Sequence, residues 1–277
     1  MTAHGLSFDV EDWHQLAELR LDGTAGPPSP IFDDCMARLL DLCDELEIKA
    51  TFFVLGLVAK HRPLLVRSIA ARGHEVASHS VTHKLLHQHA PAELLAELRD
   101  SRRMLEDLGG SPVVGFRAPE FSVQRLDSPI FHAIREAGFT YDSSVFPVSG
   151  IRYGIPDAPS APFELQTAAG PLLELPLATL AVGCIRLPVA GGSSYRLLPS
   201  RLLSWAVRRA VAPQVFYFHP YEFSKQRLYL QGGWDRNRKL GKLLLLHNFA
   251  TPRIERSLRA LRRSVSFVPL RKLAVAS

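Results

Sequence analysis

His74-Glu75-Val76-Ala77-Ser78-His79-Ser80-Val81-Thr82-His83 joins a short apolar run to two histidines four residues apart. The run reads as a buried strand over 74–78, and the histidines fall just past its end. A helical turn after the strand would set both imidazoles on one side. Neutral imidazoles paired in this way clamp divalent metal ions. The spacing alone is weak evidence, because the chain has 11 histidines and His83 and His87 repeat it. The reading depends on what the rest of the chain delivers to the same place.

Before this stretch, residues 6–10 read as a strand that runs into Asp9-Val10-Glu11-Asp12-Trp13-His14. A Gly/Pro loop follows at 22–30. From Pro30 the apolar residues Phe32, Met36, Leu39, Leu40, Cys43 and Leu46 recur at helical steps. Residues 48–55 are a continuous β-prone run, as expected of a strand buried on both faces. Residues 63–72 read as a helix closed by Gly73. Beyond the histidines, Pro91 opens a helix that Gly109-Gly110 ends. A strand at 113–117 runs into Arg117-Ala118-Pro119, and a helix opens at 128. A strand at 139–143 ends in Asp142-Ser143-Ser144, and residues 147–171 read as a surface excursion. A strand at 172–177, an apolar run at 178–185, a helix over 199–211 and a strand at 215–218 lead to His219-Pro220. A basic, helical remainder carries a last strand at 265–270.

This alternation predicts an α/β fold of parallel strands joined by crossover helices. In such folds the C-terminal strand ends converge on one mouth. Asp9, His79, Arg117, Asp142 and His219 all fall just past a strand end, and that shared placement lifts the metal reading above the bare spacing.

Composition agrees with one large domain: 277 residues, 47% hydrophobic and 22% charged. There is no internal repeat, and no apolar run of about 18 residues that would span a membrane. The N-terminus lacks the pattern of a signal peptide, so a cytoplasmic location is expected. Cys35, Cys43 and Cys184 form no Cys-x-x-Cys pair and read as small buried hydrophobes. Residues 223–277 hold thirteen Lys or Arg against Asp235 and Glu255, a net charge of +11, which leaves −5 on the remaining 222 residues. Leucines 240 and 243–246 lie beside Arg238, Lys239 and Lys242, so this region can either touch an anionic membrane at its inner face or pack on the domain. Nucleic acid is not an expected partner.

Taken as one site, the strand-end residues describe metal-assisted hydrolysis of an amide or ester. His79 and His83 offer two nitrogen ligands, and a carboxylate from 9–12 completes a facial set. A second carboxylate takes a proton from the attacking water. His219 can protonate a leaving amine. Arg117 can hold the base carboxylate, and Asp142 can fix the tautomer of His219.

These motifs, in this order, resemble those of the polysaccharide deacetylases, carbohydrate esterase family four with the NodB homology domain. His79-Ser80-Val81-Thr82-His83 matches the family's His-Ser/Thr-x-x-His motif; Arg117-Ala118-Pro119, Asp142-Ser143 and Phe218-His219 match later ones. Phe8-Asp9-Val10-Glu11-Asp12-Trp13, Gly191-Gly192 and His219-Pro220-Tyr221-Glu222 resemble the branch found in exopolysaccharide-synthesis loci. The resemblance implies a distorted (β/α) barrel of about seven parallel strands. It also implies one divalent ion, Zn²⁺ foremost, with Co²⁺, Ni²⁺ or Mn²⁺ as substitutes. The implied activity removes N-acetyl groups from hexosamine units of a polysaccharide or its lipid-linked precursor. An O-acetyl esterase or cyclic-amide hydrolase is an alternative, and a catalytically silent glycan-binding module a second.

The family pattern makes Asp9 the base and His219 the acid, with Arg117 and Asp142 orienting them. Where the family has adjacent aspartates, this chain has Asp9-Val10-Glu11-Asp12. Asp12 is expected as the metal carboxylate beside His79 and His83, with Glu11, which shares strand parity with Asp9, as the alternative. Trp13, Glu120, Phe121 and Tyr221 are expected to line the substrate site. Residues 1–222 are expected to form the catalytic domain, and 223–277 a mainly helical extension packed on it.

Overall fold

Strand β1 (Ala3–Val10) has a buried apolar side chain at each of Leu6, Phe8 and Val10, and it organises the main sheet. β2 (Thr51–Val54), β3 (Glu75–Ser78), β4 (Gly115–Phe116) and β5 (Tyr141–Asp142) follow in spatial as well as chain order. β6 (Phe163–Thr167) and β7 (Gly170–Glu174) form a hairpin, with β7 parallel to β5. β8 (Thr179–Val182) and β9 (Ile185–Pro188) form a separate two-stranded ribbon. β10 (Val215–Phe218) and β11 (Ser266–Val268) both pair parallel to β1. The structure is a computed structural model that describes residues 3–23, 26–150, 153–183, 185–210, 212–229, 238–249 and 251–276.

The sheet order is β10-β1-β2-β3-β4-β5-β7-β6, parallel except for β6. Beyond β7 the chain reaches round to the other edge: Leu177 pairs with Val215, and Ala178 N–H donates to the Val215 carbonyl at 3.0 Å. The sheet is therefore curled into a distorted barrel whose parallel strands are β10, β1, β2, β3, β4, β5 and β7. Helices cover its outside, and Phe8, Phe52, Phe53, Phe116 and Phe216 belong to its core. A run such as Thr51–Val54, fully buried at every position, is what a parallel strand sandwiched between barrel interior and helices requires.

Local signals explain where the helices begin. Ser29 caps the helix Pro30–Glu45, its hydroxyl accepting the Phe32 N–H at 3.2 Å, with Pro30 in the first turn. Cys35 and Cys43 lie on its buried side, and burial pushes their thiols up to about 11 and about 12. Cys184 lies outside the described residues.

Several described elements differ from the sequence expectation. A helix Trp13–Asp22 starts directly after Asp12, where no element was expected, a short helix Gly56–His61 follows β2, and Gly192–Leu197 is a short helix. The expected surface excursion at 147–171 contains β6, which turns through Thr167 and Gly170 to pair with β7.

Two described helices beyond residue 222 pack on the same body. The helix Pro252–Arg262 buries Ile254, Leu258 and Leu261 and leans on the helix Pro30–Glu45 through Arg38–Glu255 (2.5 Å) and Arg259–Glu45 (2.6 Å). The helix Leu270–Ala276 packs on β1 so closely that a Cβ at Gly5 would lie 2.9 Å from Leu270 Cδ1. Part of the basic charge is thus paired with carboxylates of the body. Among the described residues, no helix is long and apolar enough to cross a membrane.

Candidate active site

Past the end of β1, Glu11 turns into the barrel mouth and meets the two histidines. Its Oε2 lies 2.8 Å from His83 Nε2 and 3.5 Å from His79 Nε2. The three groups are buried, and one ligand atom from each falls within 4.8 Å of the others. His79 Nδ1 is 2.9 Å from the Arg117 carbonyl; donating there turns Nε2 toward Glu11, where it would be available to an ion. Burial pushes the Glu11 carboxyl up, but the charge of His83 and hydrogen bonds with His79 and His83 outweigh it, so its pKa sits well below the usual range. The set is two imidazole nitrogens and one carboxylate oxygen, which suits a divalent ion.

The expectation for Asp12 is therefore corrected. Asp12 Oδ2 caps the helix Trp13–Asp22 through the Gln15 N–H (3.3 Å) and accepts from Ser29 N–H (2.9 Å), while Oδ1 faces the Ser29 hydroxyl (3.2 Å). Helix capping turns Asp12 away from the mouth, and Glu11, on the face of Asp9, takes the place beside the histidines.

The loop carrying His79 and His83 is also not the helical turn considered above. Ser80 and His83 both have left-handed backbones, with φ 68° and 61°. Glu97, from the helix Pro91–Gly109, holds the loop. Its Oε1 accepts from Ser80 Oγ (2.7 Å), Val81 N–H (3.0 Å), Thr82 N–H (2.9 Å) and Thr82 Oγ1 (2.9 Å). From the other side, Gly56 and Leu57 N–H donate to the Ser80 and Val81 carbonyls, both at 2.9 Å. Gly56 permits this approach, since a Cβ there would sit 2.8 Å from Val81 Cα.

Asp9 and Arg117 meet as expected. Arg117, fully buried, donates to Asp9 Oδ1 (2.7 Å) and Ser7 Oγ (2.8 Å), and through Nε and Nη2 to the Ser143 carbonyl and hydroxyl (3.0 and 2.9 Å). Its guanidinium carbon lies 4.1 Å from the Phe53 ring centroid. The Asp9 carboxylate is thus held in a fixed position at the mouth.

Asp142 does not reach His219. Its carboxylate accepts from Ser144 N–H (3.0 Å) and Oγ (2.8 Å) and lies against Glu174. Burial and the proximity of Asp142 hold Glu174 well above the ordinary carboxylate range. Two buried carboxyls here hold a proton between them, so neither serves a distant imidazole. The carboxylate beside His219 is Glu222, whose Oε2 is 3.6 Å from His219 Nδ1. His219 Nε2 faces Glu11 Oε1 at 3.4 Å. Burial lowers the His219 pKa, but Glu222 and Glu11 more than reverse this and carry it to about 9. The imidazole holds a proton at neutral pH in this setting, as an acid must.

Asp9, Glu11, His79, His83 and His219 line a cavity of about 160 Å³ together with Trp13, Glu120, Phe121 and Tyr221. Tyr221 stacks on His219 (4.8 Å, 13°), and Trp13 stands edge-on to Tyr221. Phe121 packs against Phe146, Tyr153 and Tyr217. Its N–H is engaged with the Ala118 carbonyl at 3.1 Å. Glu120 pairs with Arg20 at the rim. His247, from the helix Arg238–Asn248, closes the wall beside Trp13 (4.9 Å) and Tyr221 (5.1 Å). That helix buries Leu244 in the same cluster, whereas Leu245 is exposed. Leucines 240 and 243 lie outside the described side chains.

Residues 25–141 match the family profile described as Polysaccharide deacetylase, and residues 143–274 match one described as Domain of unknown function (DUF3473). The chain carries a polysaccharide deacetylase domain. A chitooligosaccharide deacetylase of Sinorhizobium fredii is 36% identical over 102 residues, which is 37% of this chain and 42% of that protein. The chain therefore aligns with less than half the length of that relative. Two solved structures share the fold at low identity. A polysaccharide deacetylase from Pseudomonas aeruginosa PAO1, titled as probable, has TM-score 0.60 at 15% identity, covering 99% of this chain and 89% of that one. A protein described as "putative polysaccharide deacetylase" from Mycobacterium smegmatis has TM-score 0.55 at 23% identity, covering 96% of this chain and 93% of that one.

The candidate site crosses the boundary between the two profiles. His79, His83, Glu97 and Arg117 lie in the polysaccharide deacetylase match, and His219, Glu222 and His247 in the second. Sequence reasoning had no role for Glu97, Arg196 or His247. Glu97 lies mid-helix, and Arg196 and His247 lie in the last turns of theirs, so only the three-dimensional arrangement reveals their partners. Glu222 was visible in His219-Pro220-Tyr221-Glu222 but without a function.

Proposed function

We propose that the protein is a metal-dependent deacetylase that hydrolyses the acetamido group of N-acetylhexosamine units in a glycan. The observation that supports this most is the meeting of Glu11, His79 and His83 beside the Asp9–Arg117 pair and His219 around one cavity. Glu11 Oε2, His79 Nε2 and His83 Nε2 would hold the ion. When bound, a divalent cation there polarises the acetyl carbonyl and makes water more acidic.

The chain's own residues supply the proton transfers. Asp9, aimed by Arg117, accepts a proton from the attacking water as its oxygen bonds to the carbonyl carbon. His219 donates a proton from Nε2 to the nitrogen as the C–N bond breaks. Acetate and the free amine are the products. Trp13, Tyr221 and His247 form an aromatic wall against which a sugar ring can lie.

The relatives named as chitooligosaccharide and peptidoglycan-N-acetylglucosamine deacetylases support an N-acetylglucosamine-containing substrate. The test is acetate release from N-acetylglucosamine oligomers, with O-acetylated xylan as the ester comparison and metal content measured alongside. Activity that depends on metal and disappears in His79→Ala supports the reading. Full activity in His79→Ala overturns it.

A further inference from the structure

Glu222, which lines the cavity beside His219, holds the imidazole on its Nδ1 side. Glu222 is buried, and its Oε2 faces both the His219 ring (Nδ1, 3.6 Å) and the His219 backbone N–H (3.0 Å). Its Oε1 meets Arg196 Nη2 at 2.8 Å. Arg196 is fully buried in the short helix Gly192–Leu197, whose Arg196 carbonyl accepts from Arg253 at 3.1 Å. Gly192 presses on the same carboxylate, since a Cβ there would sit 2.0 Å from Glu222 Oε1. Tyr221 stacks on the imidazole, and Nε2 is left toward the cavity. Asp142, on the opposite strand end, is occupied by Ser144 and Glu174.

A buried Arg–Glu pair adds little net stability, because desolvation offsets most of its attraction. This pair nevertheless aims its second oxygen at a histidine in the site. We infer that Glu222, anchored by Arg196, is the positioning residue for His219: it receives Nδ1–H and so presents Nε2–H to the leaving nitrogen. The inference rests on the reading of His219 as the acid. In the step, the C–N bond breaks, its electron pair takes the Nε2 proton, and the neutral imidazole keeps Nδ1–H toward Glu222. The 3.6 Å separation is of the kind that tightens when substrate is bound.

The test compares two leaving groups in Glu222→Gln. An N-acetylglucosamine oligomer releases an amine that must be protonated; an aryl acetate such as 4-nitrophenyl acetate releases a phenolate that need not be. Loss of a positioned acid is expected to lower kcat on the oligomer by about 100-fold with KM little changed. The aryl acetate should lose less than tenfold. Glu222→Asp should recover part of the oligomer rate. In parallel, the downfield Nδ1–H proton resonance of His219, assigned with His219→Gln, should vanish in Glu222→Gln and persist in Glu222→Asp. Because Glu222→Gln leaves Arg196 unpaired, the double variant Arg196→Met/Glu222→Gln serves as a second folded background and should show the same leaving-group contrast. Equal losses on both substrates, or an unchanged resonance, overturn the inference. A wild-type protein inactive on both substrates with metal bound overturns the deacetylase reading instead, and the resonance still decides the role of Glu222.

Discussion

Replacing Glu97 tests how the metal loop is held without touching any ligand. One oxygen of Glu97 accepts four hydrogen bonds from residues 80–82, two of them from backbone N–H groups. Hydrogen bonds to a charged acceptor are each worth about 1.5–3 kcal/mol, but they are not additive, and Glu97 is only half-buried, so water replaces part of them. A net of about 2–3 kcal/mol for the whole cluster is reasonable on that scale. The loop needs it, because Ser80 and His83 sit in the left-handed region, at roughly 1–2 kcal/mol each. In Glu97→Ala the loop relaxes, and ion binding must reorder it. At 1.4 kcal/mol per factor of ten, metal affinity should fall about 30- to 100-fold. Glu97→Gln, which keeps one acceptor oxygen but no charge, should fall between the two. Titration with Zn²⁺ or Co²⁺ against a competing chelator measures this, with thermal melting of the metal-free proteins alongside. Metal affinity of Glu97→Ala within twofold of wild type would refute the reasoning.

Other substitutions separate roles that adjacent residues blur. Glu11→Gln should abolish stoichiometric metal binding, whereas Asp12→Ala should keep it and lose about 1–2 kcal/mol of stability as a helix cap is removed; equal metal loss in both would contradict the assignment. Gly192→Ala should destabilise the protein by about 1–3 kcal/mol, because its Cβ collides with Glu222, and chemical denaturation measures this. His74, buried at 3% exposure with Nδ1 accepting the Ala50 N–H, has its pKa lowered to about 4, first by burial and then by Lys49. An unfolded histidine protonates near 6.5, so the contribution is full above that pH and declines as pH falls toward 4, by about 3 kcal/mol in total. His74→Asn, which can still accept from Ala50, should flatten the stability profile between those values; an unchanged slope argues against the assignment.

The sequence carried the parallel α/β pattern and the strand-end residues because both depend on local features. Continuous apolar runs mark β2 and β10, and apolar residues alternate along β1 at Leu6, Phe8 and Val10; chemically unusual residues stand at their ends. What it did not carry depends on competition between neighbours. Asp12 and Glu11 are equally plausible ligands in one dimension. The start of a helix at Trp13 decides between them, and that helix has little amphipathic signal because its first five residues are all buried. Asp142 and His219 both follow strands, yet Asp142 turns to Ser144, two residues on, and to Glu174, a neighbour only in three dimensions. Glu97 and Arg196 act on loops from helices elsewhere in the chain, so no motif contains both partners.

The pairing of β1 has a consequence for the order in which the protein can be made. The strand carrying Asp9, with Glu11 just beyond it, is bordered on one side by β10 and on the other by β2 and, lower down, by β11. β10 and β11 leave the ribosome some two hundred residues later. A nascent chain that has emerged through residue 142 has β1 to β5, His79 and His83, but an unprotected edge on β1 and no His219. Long-range closures of this kind form slowly and expose strand edges while they wait. The carboxylates at the mouth therefore gain their final surroundings only when the C-terminal segment docks, which couples completion of the site to completion of the chain.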